Sequence, residues 1–532
     1  MLGSSGGFWL VRILFLRCFF FIYSVAFLVS LRQNEALLGD AGLTPARRFW
    51  QNNIVPRFQD SSSLSSFISY PSLFWFIGPP STASLNILAF VGLFLSLLIT
   101  VLGAANMPMI LAVWMIMMTI QSVGQTWFSF GWESQLLEMT FLAAFACPLL
   151  SLSAFPKSAP MPLLCIVGFR WLLFRIMLGA GLIKIRGDSC WRDLTAMHYH
   201  YETQPIPNFL SPYFHTSPPL WHKFETLSNH VIELVCPVLL LCPTHGLGSV
   251  VRSVSIVGGL IQVIFQLVLI CSGNLSFLNW LTAIPAICCF DDEFVAPLFS
   301  PSMRRRAREA AEERFGADAL LYSSLRTIMH LGVFALLAVL SYPVVVNLLS
   351  SRQAMNRSFS AFKLVNTYGA FGSITRERHE VVLLGTADEI TKVQDPTWKA
   401  FEFPAKPTDP NRQSPWISPY HFRLDWLLWF AAFQSYTQCP WLVSLVYKLL
   451  QNDALVTRSL LSSNPFFESG TPPRYIKAEL YLYKYALVPD DKADKDWERG
   501  TFWKRRHVRE YLPPIALDNP SLQTFLKRND LL

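Results

Sequence analysis

Between Gly179 and Glu233 the chain reads GAGLIKIRGDSCWRDLTAMHYHYETQPIPNFLSPYFHTSPPLWHKFETLSNHVIE, and five of its ten histidines (His198, His200, His215, His222, His230) fall there. Lys184, Arg186, Asp188, Arg192, Asp193, Glu202, Glu225 and Glu233 accompany them, while very apolar segments enclose the stretch on both sides. Ionisable groups next to hydrocarbon cost free energy unless they line water or find partners, so the stretch invites a chemical reading. On helical spacing Arg170, Phe174, Met177, Gly181 and Lys184 follow i, i+4, i+7, i+11 and i+14, which sets Arg170 and Lys184 on one face. His222, Glu225, Asn229 and Glu233 form a comparable stripe, with His230 beside it. Two such faces on neighbouring helices enclose either a salt-bridge network or a polar cavity, the latter drawing on Arg170, Arg175, Lys184, Glu133, Glu138 and Glu233.

Other constellations are weaker. His198, His200 and Glu202 alternate, so in an extended segment they would project to one side as a metal seat, but that spacing is common and no metal site is assigned. Glu133 and Glu138 are five apart and point to different faces, so each is expected to pair with an arginine of the 163–185 helix rather than form an acid/base dyad. There is no GxSxG, no P-loop and no GxGxxG after a strand, so no cofactor is expected. No CxxC pair occurs, most of the ten cysteines lie in apolar segments, and Cys190 and Cys439 are the two expected to be accessible. A redox role for Cys190 would lack the second thiol that exchange normally uses. Asn274 and Asn356 begin glycosylation sequons close to expected membrane ends.

The elements that must position these groups are membrane helices. Of 532 residues, 52% are hydrophobic and only 15% charged, with a mean hydropathy of +0.33, against about 25% charged in soluble domains. The net charge of +8 is spread out, apart from Arg304, Arg305, Arg306 and Arg308, and topology accounts for that cluster better than nucleic-acid binding. Spanning candidates are 9–31, 83–104, 108–121, 132–150, 163–185, 224–241, 253–271, a short 277–290 and 325–349, giving a multi-pass α-helical bundle of about eight or nine helices over residues 1–350. With the basic linker 291–321 in the cytosol, loop 187–223 and everything after Ser350 fall on the opposite side.

From about Met355 the pattern changes. Runs at 359–365, 379–386 and 398–403 are β-branched and aromatic, and 474–486 alternates, with Ile476, Ala478, Leu480 and Leu482 on one face. Two apolar helices, 424–433 and 441–450, are too short to span. Residues 355–532 therefore read as one β-rich, sandwich-like domain with a helical insertion.

The segment from Trp171 to Pro237, with its DSCWRDLT, HYETQP and FETLSNH runs, resembles the signature region of the lipase maturation factors. GDAGLTPAR, SFGWESQLLEMTFLA, SGNLSFLNWLT, NTYGAFGSITRERHEV, FEFPAKPTDPNRQSPWISPYHFRLDWLLWFAA and PPRYIKAELYLYKY with EYLPP extend the resemblance over nearly the whole chain. It implies a chaperone-like protein of the endoplasmic reticulum membrane, with a lumenal C-terminal domain, that assists secreted lipases. No catalytic residue comes with it. The motif positions it marks are Trp191, Arg192, His200, Tyr201, Glu202, Thr203, Gln204, Pro205, Phe224, Glu225, Thr226, Asn229 and His230; the histidine at 198 departs from the family pattern. The implied partners are secreted clients and the lipid bilayer.

GAGLIKIRGDSCW is also distantly similar to the Gly-Leu-x-Lys segment ahead of a tryptophan in vitamin K-dependent gamma-glutamyl carboxylases, where Lys184 would match a base-bearing lysine. The carboxylase-like reading that this similarity implies makes Lys184 an essential, desolvated base with His200 or His222 nearby; the maturation-factor reading expects Lys184→Ala to be mild and C-terminal truncation to be severe.

Overall fold

The computed structural model describes residues 8–156, 159–243, 248–312, 317–487, 498 and 500–531, with side chains at all of these except 317–323 and 325. Its first half is a bundle of long apolar helices. These are α1 (Trp9–Leu38), α2 (Thr82–Leu102), α3 (Met107–Ser122), α4 (Gly131–Ala146) and α5 (Leu163–Arg186). After a short helix α6 (Met197–Thr203) come α7 (Pro219–His230), α8 (Ser249–Ser272), α9 (Leu278–Ala283) and α10 (Ala317–Leu349). Polar side chains set their starts: Ser81 and Ser84 form a reciprocal cap on α2, and Asn106 accepts the Met109 amide at 3.0 Å to begin α3.

Among the described residues, five helices, α1, α2, α5, α8 and the Arg326–Leu349 part of α10, are long and apolar enough to cross a membrane. That is fewer than the eight or nine anticipated. The difference lies in the shorter segments. α3 and α4 have 16 residues each, and the 224–241 candidate is broken by a π turn at Val231–Val235 ahead of Pro237. The 277–290 segment continues past α9 only as a 3-10 turn, Ile284–Cys289. The basic run forms a helix, Pro301–Glu312, and its last two residues, 313 and 314, lie outside the described ones.

Outward faces of the spans are apolar. Phe90, Phe94 and Val101 on α2, Ile264 and Leu267 on α8, and Leu331 and Val339 on α10 are all exposed, a surface that suits lipid rather than water. α1 is buried along most of its length, and its Arg12 turns into the bundle, donating to the carbonyls of Ala159 at 2.8 Å and Ala154 at 3.0 Å.

Among the described residues the C-terminal half forms a single sheet rather than a sandwich. It carries one four-stranded antiparallel sheet, β1 (Arg378–Thr386), β2 (Lys399–Ala400), β3 (Tyr475–Tyr485) and β4 (Trp503–Ala516), in the order β2-β1-β3-β4. The run at 359–365 forms no strand; a bridge between Ser358 and Asn366 closes it off, and Phe362 packs on Phe67 and Trp114 of the bundle half. Instead of a second sheet, helices cover the first: α11 (Arg423–Ala431) and α12 (Pro440–Leu450) supply Leu424, Leu428, Leu442 and Leu445, all buried in the same core as Val381, Leu383, Ile476 and Ala478. Tyr483 and Tyr485 of β3 are buried as well, against Trp503, so both faces of that strand are covered. The apolar core runs unbroken from the bundle into this region.

Candidate functional site

The end of α5 is where the sequence motifs converge. Gly179 and Gly187 let the chain at 368–372 lie against that helix: a Cβ would stand 2.5 Å from the Tyr368 carbonyl oxygen at Gly179 and 2.2 Å from the Gly372 oxygen at Gly187. Beside this contact, Lys184 donates to Glu233 Oε1 at 2.6 Å and Asn229 Oδ1 at 3.1 Å, and its Nζ lies 4.8 Å from the centre of the Trp191 ring. Asn229 completes the cluster by donating to Glu233 Oε2 at 2.8 Å. Trp191 is held by its own indole N–H on the Phe371 carbonyl at 2.8 Å, and its carbonyl meets His230 Nε2 at 2.9 Å.

The other buried charges of the bundle each have partners. Arg175 pairs with Glu138, whose Oε2 also accepts the Tyr368 hydroxyl at 2.7 Å and the Asn366 amide at 3.0 Å. Glu133 does not pair with the same helix as expected. Its partner is Arg423 at 2.8 Å, at the start of α11, more than two hundred residues along the chain. Arg170 serves as a strut, donating to the carbonyls of Cys288 at 2.8 Å and Cys242 at 2.6 Å.

The stretch 187–223, expected as a loop, is largely helical, and its 200–208 part is buried. His198, His200 and Glu202 sit on α6, not on an extended segment, so they do not project together. No cluster suited to a metal ion occurs among the described residues. The HYETQP run is a tether. Arg378 of β1 donates to the carbonyls of Glu202 at 3.0 Å, Gln204 at 2.5 Å and Pro205 at 3.0 Å. Glu202 Oε1 accepts the Tyr485 amide at 2.9 Å, and the Thr203 carbonyl accepts from Trp429 at 3.1 Å. Arg192 closes the end of α5 on the carbonyls of Ile185 and Gly187.

His222 lies apart from Lys184, held between Glu225 Oε2 and the His215 carbonyl, both at 3.2 Å. Thr226 bonds back to His222, and Phe224 is exposed on the outer side of α7. Asp188 and Arg376 form an ion pair at 2.7 Å whose hydrogen bonds hold the Asp188 carboxyl well below its usual range. Cys190 and Cys439 are buried rather than accessible, and burial pushes both thiols up.

A cavity of about 390 Å³ lies at this junction, lined by Lys184, Asn229, Glu233, Trp191 and His200 among others. His222 is not in its wall. Burial, reinforced by the charge of Lys184, lowers the pKa of His200 to about 4.

The arrangement has relatives. Residues 10–297 match the family model described as the lipase maturation factor transmembrane domain, and 364–513 match that of the lipase maturation factor C-terminal domain. The chain belongs to the lipase maturation factor family. It is 49% identical over 520 residues to lipase maturation factor 1 of Bos taurus, covering 96% of this chain and 90% of that protein. Against lipase maturation factor 1 of Homo sapiens the figure is 48% (97% and 89% covered), and against lipase maturation factor 2 of Xenopus tropicalis 27% (96% and 83%). No solved structure matches.

Of the positions that the resemblance marks, Glu202, Gln204 and Pro205 meet Arg378 of β1, Thr203 meets Trp429 of α11 and Trp191 meets the Phe371 carbonyl. Sequence reasoning missed the other half of the joint, namely Arg378, Arg423, Asn366 and Tyr368. Asn366, Tyr368 and Arg378 lie in the NTYGAFGSITRERHEV run and Arg423 in the HFRLDWLLWFAA run that extend the resemblance, but each is a single polar residue and no local spacing names its partner.

Proposed function

We propose that this protein is a multi-pass factor of the endoplasmic reticulum membrane that assists the folding and assembly of secreted lipases or other secretory clients, with its C-terminal region in the lumen. The observation that supports this most is similarity of nearly half of all positions, over almost the full length, to proteins named lipase maturation factor 1. A joint tied by buried ion pairs and backbone contacts suits a rigid platform on which a client is held. The test is to supply the full chain to cells that make a secreted lipase but lack their own maturation factor. Recovery of secreted, active lipase is expected. Correct delivery of the chain to the endoplasmic reticulum with no gain in active lipase would overturn the proposal.

A second reading, an intramembrane carboxylase-like enzyme with Lys184 as base, draws on the placement of Lys184 and His200 in one cavity wall. Against it, the Lys184 ammonium is already engaged by Glu233, Asn229 and the Trp191 ring. Loss of all activity in a stably folded Lys184→Met, Glu233→Leu protein would favour the enzyme.

A further inference from the structure

The cavity beside Lys184 is walled mostly by apolar groups, including Ile176, Met177, Phe265, Leu269 and Leu278. Its polar groups carry no net charge: Lys184 and Glu233 neutralise each other at 2.6 Å, and His200, its pKa lowered to about 4 by burial, is neutral near pH 7. His200 is the informative one. It is only 6% exposed and lines the cavity, yet among the described residues neither ring nitrogen has a hydrogen-bond partner, and neither is sealed off by neighbouring atoms. A buried imidazole left in this way offers one donor and one acceptor to whatever fills the space.

The cavity borders the apolar outer surface of α8. Val268 lines it and is 47% exposed, on the stretch of α8 that presents Ile264 and Leu267 to the outside.

We infer that this cavity is a binding site for an uncharged amphipathic lipid of the acylglycerol class, its acyl chain against the apolar wall and its hydroxyl or ester oxygens on His200. The volume falls within the roughly 300–1,000 Å³ usual for small-molecule sites. Charge balance selects against a fatty-acid carboxylate, which would need an unpaired cation. This ligand site stands independently of the proposed role in client maturation.

The experiment uses the purified full chain in nanodiscs doped with photoreactive monooleoylglycerol, photoreactive oleate or photoreactive lysophosphatidylcholine, followed by peptide mapping. The expected result is preferential labelling of peptides from α5, α6 or α8 by the monooleoylglycerol probe, competed by unlabelled monooleoylglycerol. His200→Phe, which keeps the bulk but loses the hydrogen bond, should reduce labelling about five-fold, the weight of one such bond. Val268→Trp, which narrows the opening without touching a polar group, should reduce it as well while leaving the melting temperature unchanged. Equal labelling by all three probes, preference for oleate or lysophosphatidylcholine, or labelling that both variants leave intact would overturn the assignment.

Discussion

Lys184 Nζ and Glu233 Oε1, forty-nine positions apart in the chain, lie 2.6 Å from each other in a buried ion pair. Taking either charge away leaves the other buried and uncompensated, at a cost of about 3–5 kcal/mol. Lys184→Ala is therefore expected to destabilise the protein, contrary to the mild effect anticipated from sequence. Glu233→Ala should do the same. Lys184→Met combined with Glu233→Leu removes both charges and should recover most of the loss. Melting temperatures of the three variants in detergent check this; a double variant as unstable as either single one would show that the pair is not the reason.

The second prediction concerns the tie between bundle and C-terminal region. Tyr368 donates its hydroxyl to Glu138 at 2.7 Å. Tyr368→Phe removes a hydrogen bond to a charged group, worth about 1.5–3 kcal/mol, while Asn366 and Arg175 remain in place. Arg423→Met strands Glu133 and should cost more, about 3–5 kcal/mol. Truncation after Ser350 removes both partners at once, so loss of activity in such a fragment would report misfolding of the bundle as much as loss of a client surface. Limited proteolysis of the bundle in each variant distinguishes the two.

These contacts show what the sequence could and could not say. Helical spacing placed Asn229 and Glu233 one turn apart on a single face, and the structure uses them together on Lys184. Apolar length marked α1, α2, α5, α8 and α10 because a 20-residue hydrophobic run has few other uses. What failed was anything depending on long-range pairing. Glu133 was assigned to the nearest arginine helix, but its partner, Arg423, comes from the far half of the chain. His198, His200 and Glu202 would share one side only in an extended segment, and Met197–Thr203 is a helix. Strand β4 went unmarked because its residues 504–510, Lys-Arg-Arg-His-Val-Arg-Glu, lack an apolar face, being paired at the sheet edge with the outer side largely exposed.

A third prediction follows from His200. Burial holds its folded pKa near 4, below the usual 6.5, so the unfolded chain binds a proton that the folded chain refuses as pH falls between those values. The contribution of this group to stability is thus complete above about pH 6.5 and declines toward pH 4, by up to about 1.4 kcal/mol per pH unit. Asp425, in α11, is raised to about 6 by burial and acts in the opposite sense, taking up its proton first in the folded state. His200→Gln should flatten the fall in melting temperature between pH 6.5 and 5, and Asp425→Asn should steepen it.

The fourth prediction separates the two sequons. Asn274 is 1% exposed, and its amide is used at both ends: Nδ2 donates to the Pro207 and Pro415 carbonyls, and Oδ1 accepts the amides of Ile417 and Ser418. A glycan there would have to displace the connection between α8 and the C-terminal region, and Asn274→Gln should leave the glycosylation pattern unchanged while lowering stability. Asn356 is exposed, in a left-handed turn just after the last span, where φ is +52°. If the C-terminal region is lumenal, endoglycosidase treatment should shift the wild-type band, and Asn356→Gln should abolish that shift. A shift that persists in Asn356→Gln and disappears in Asn274→Gln would contradict the packing of this junction directly.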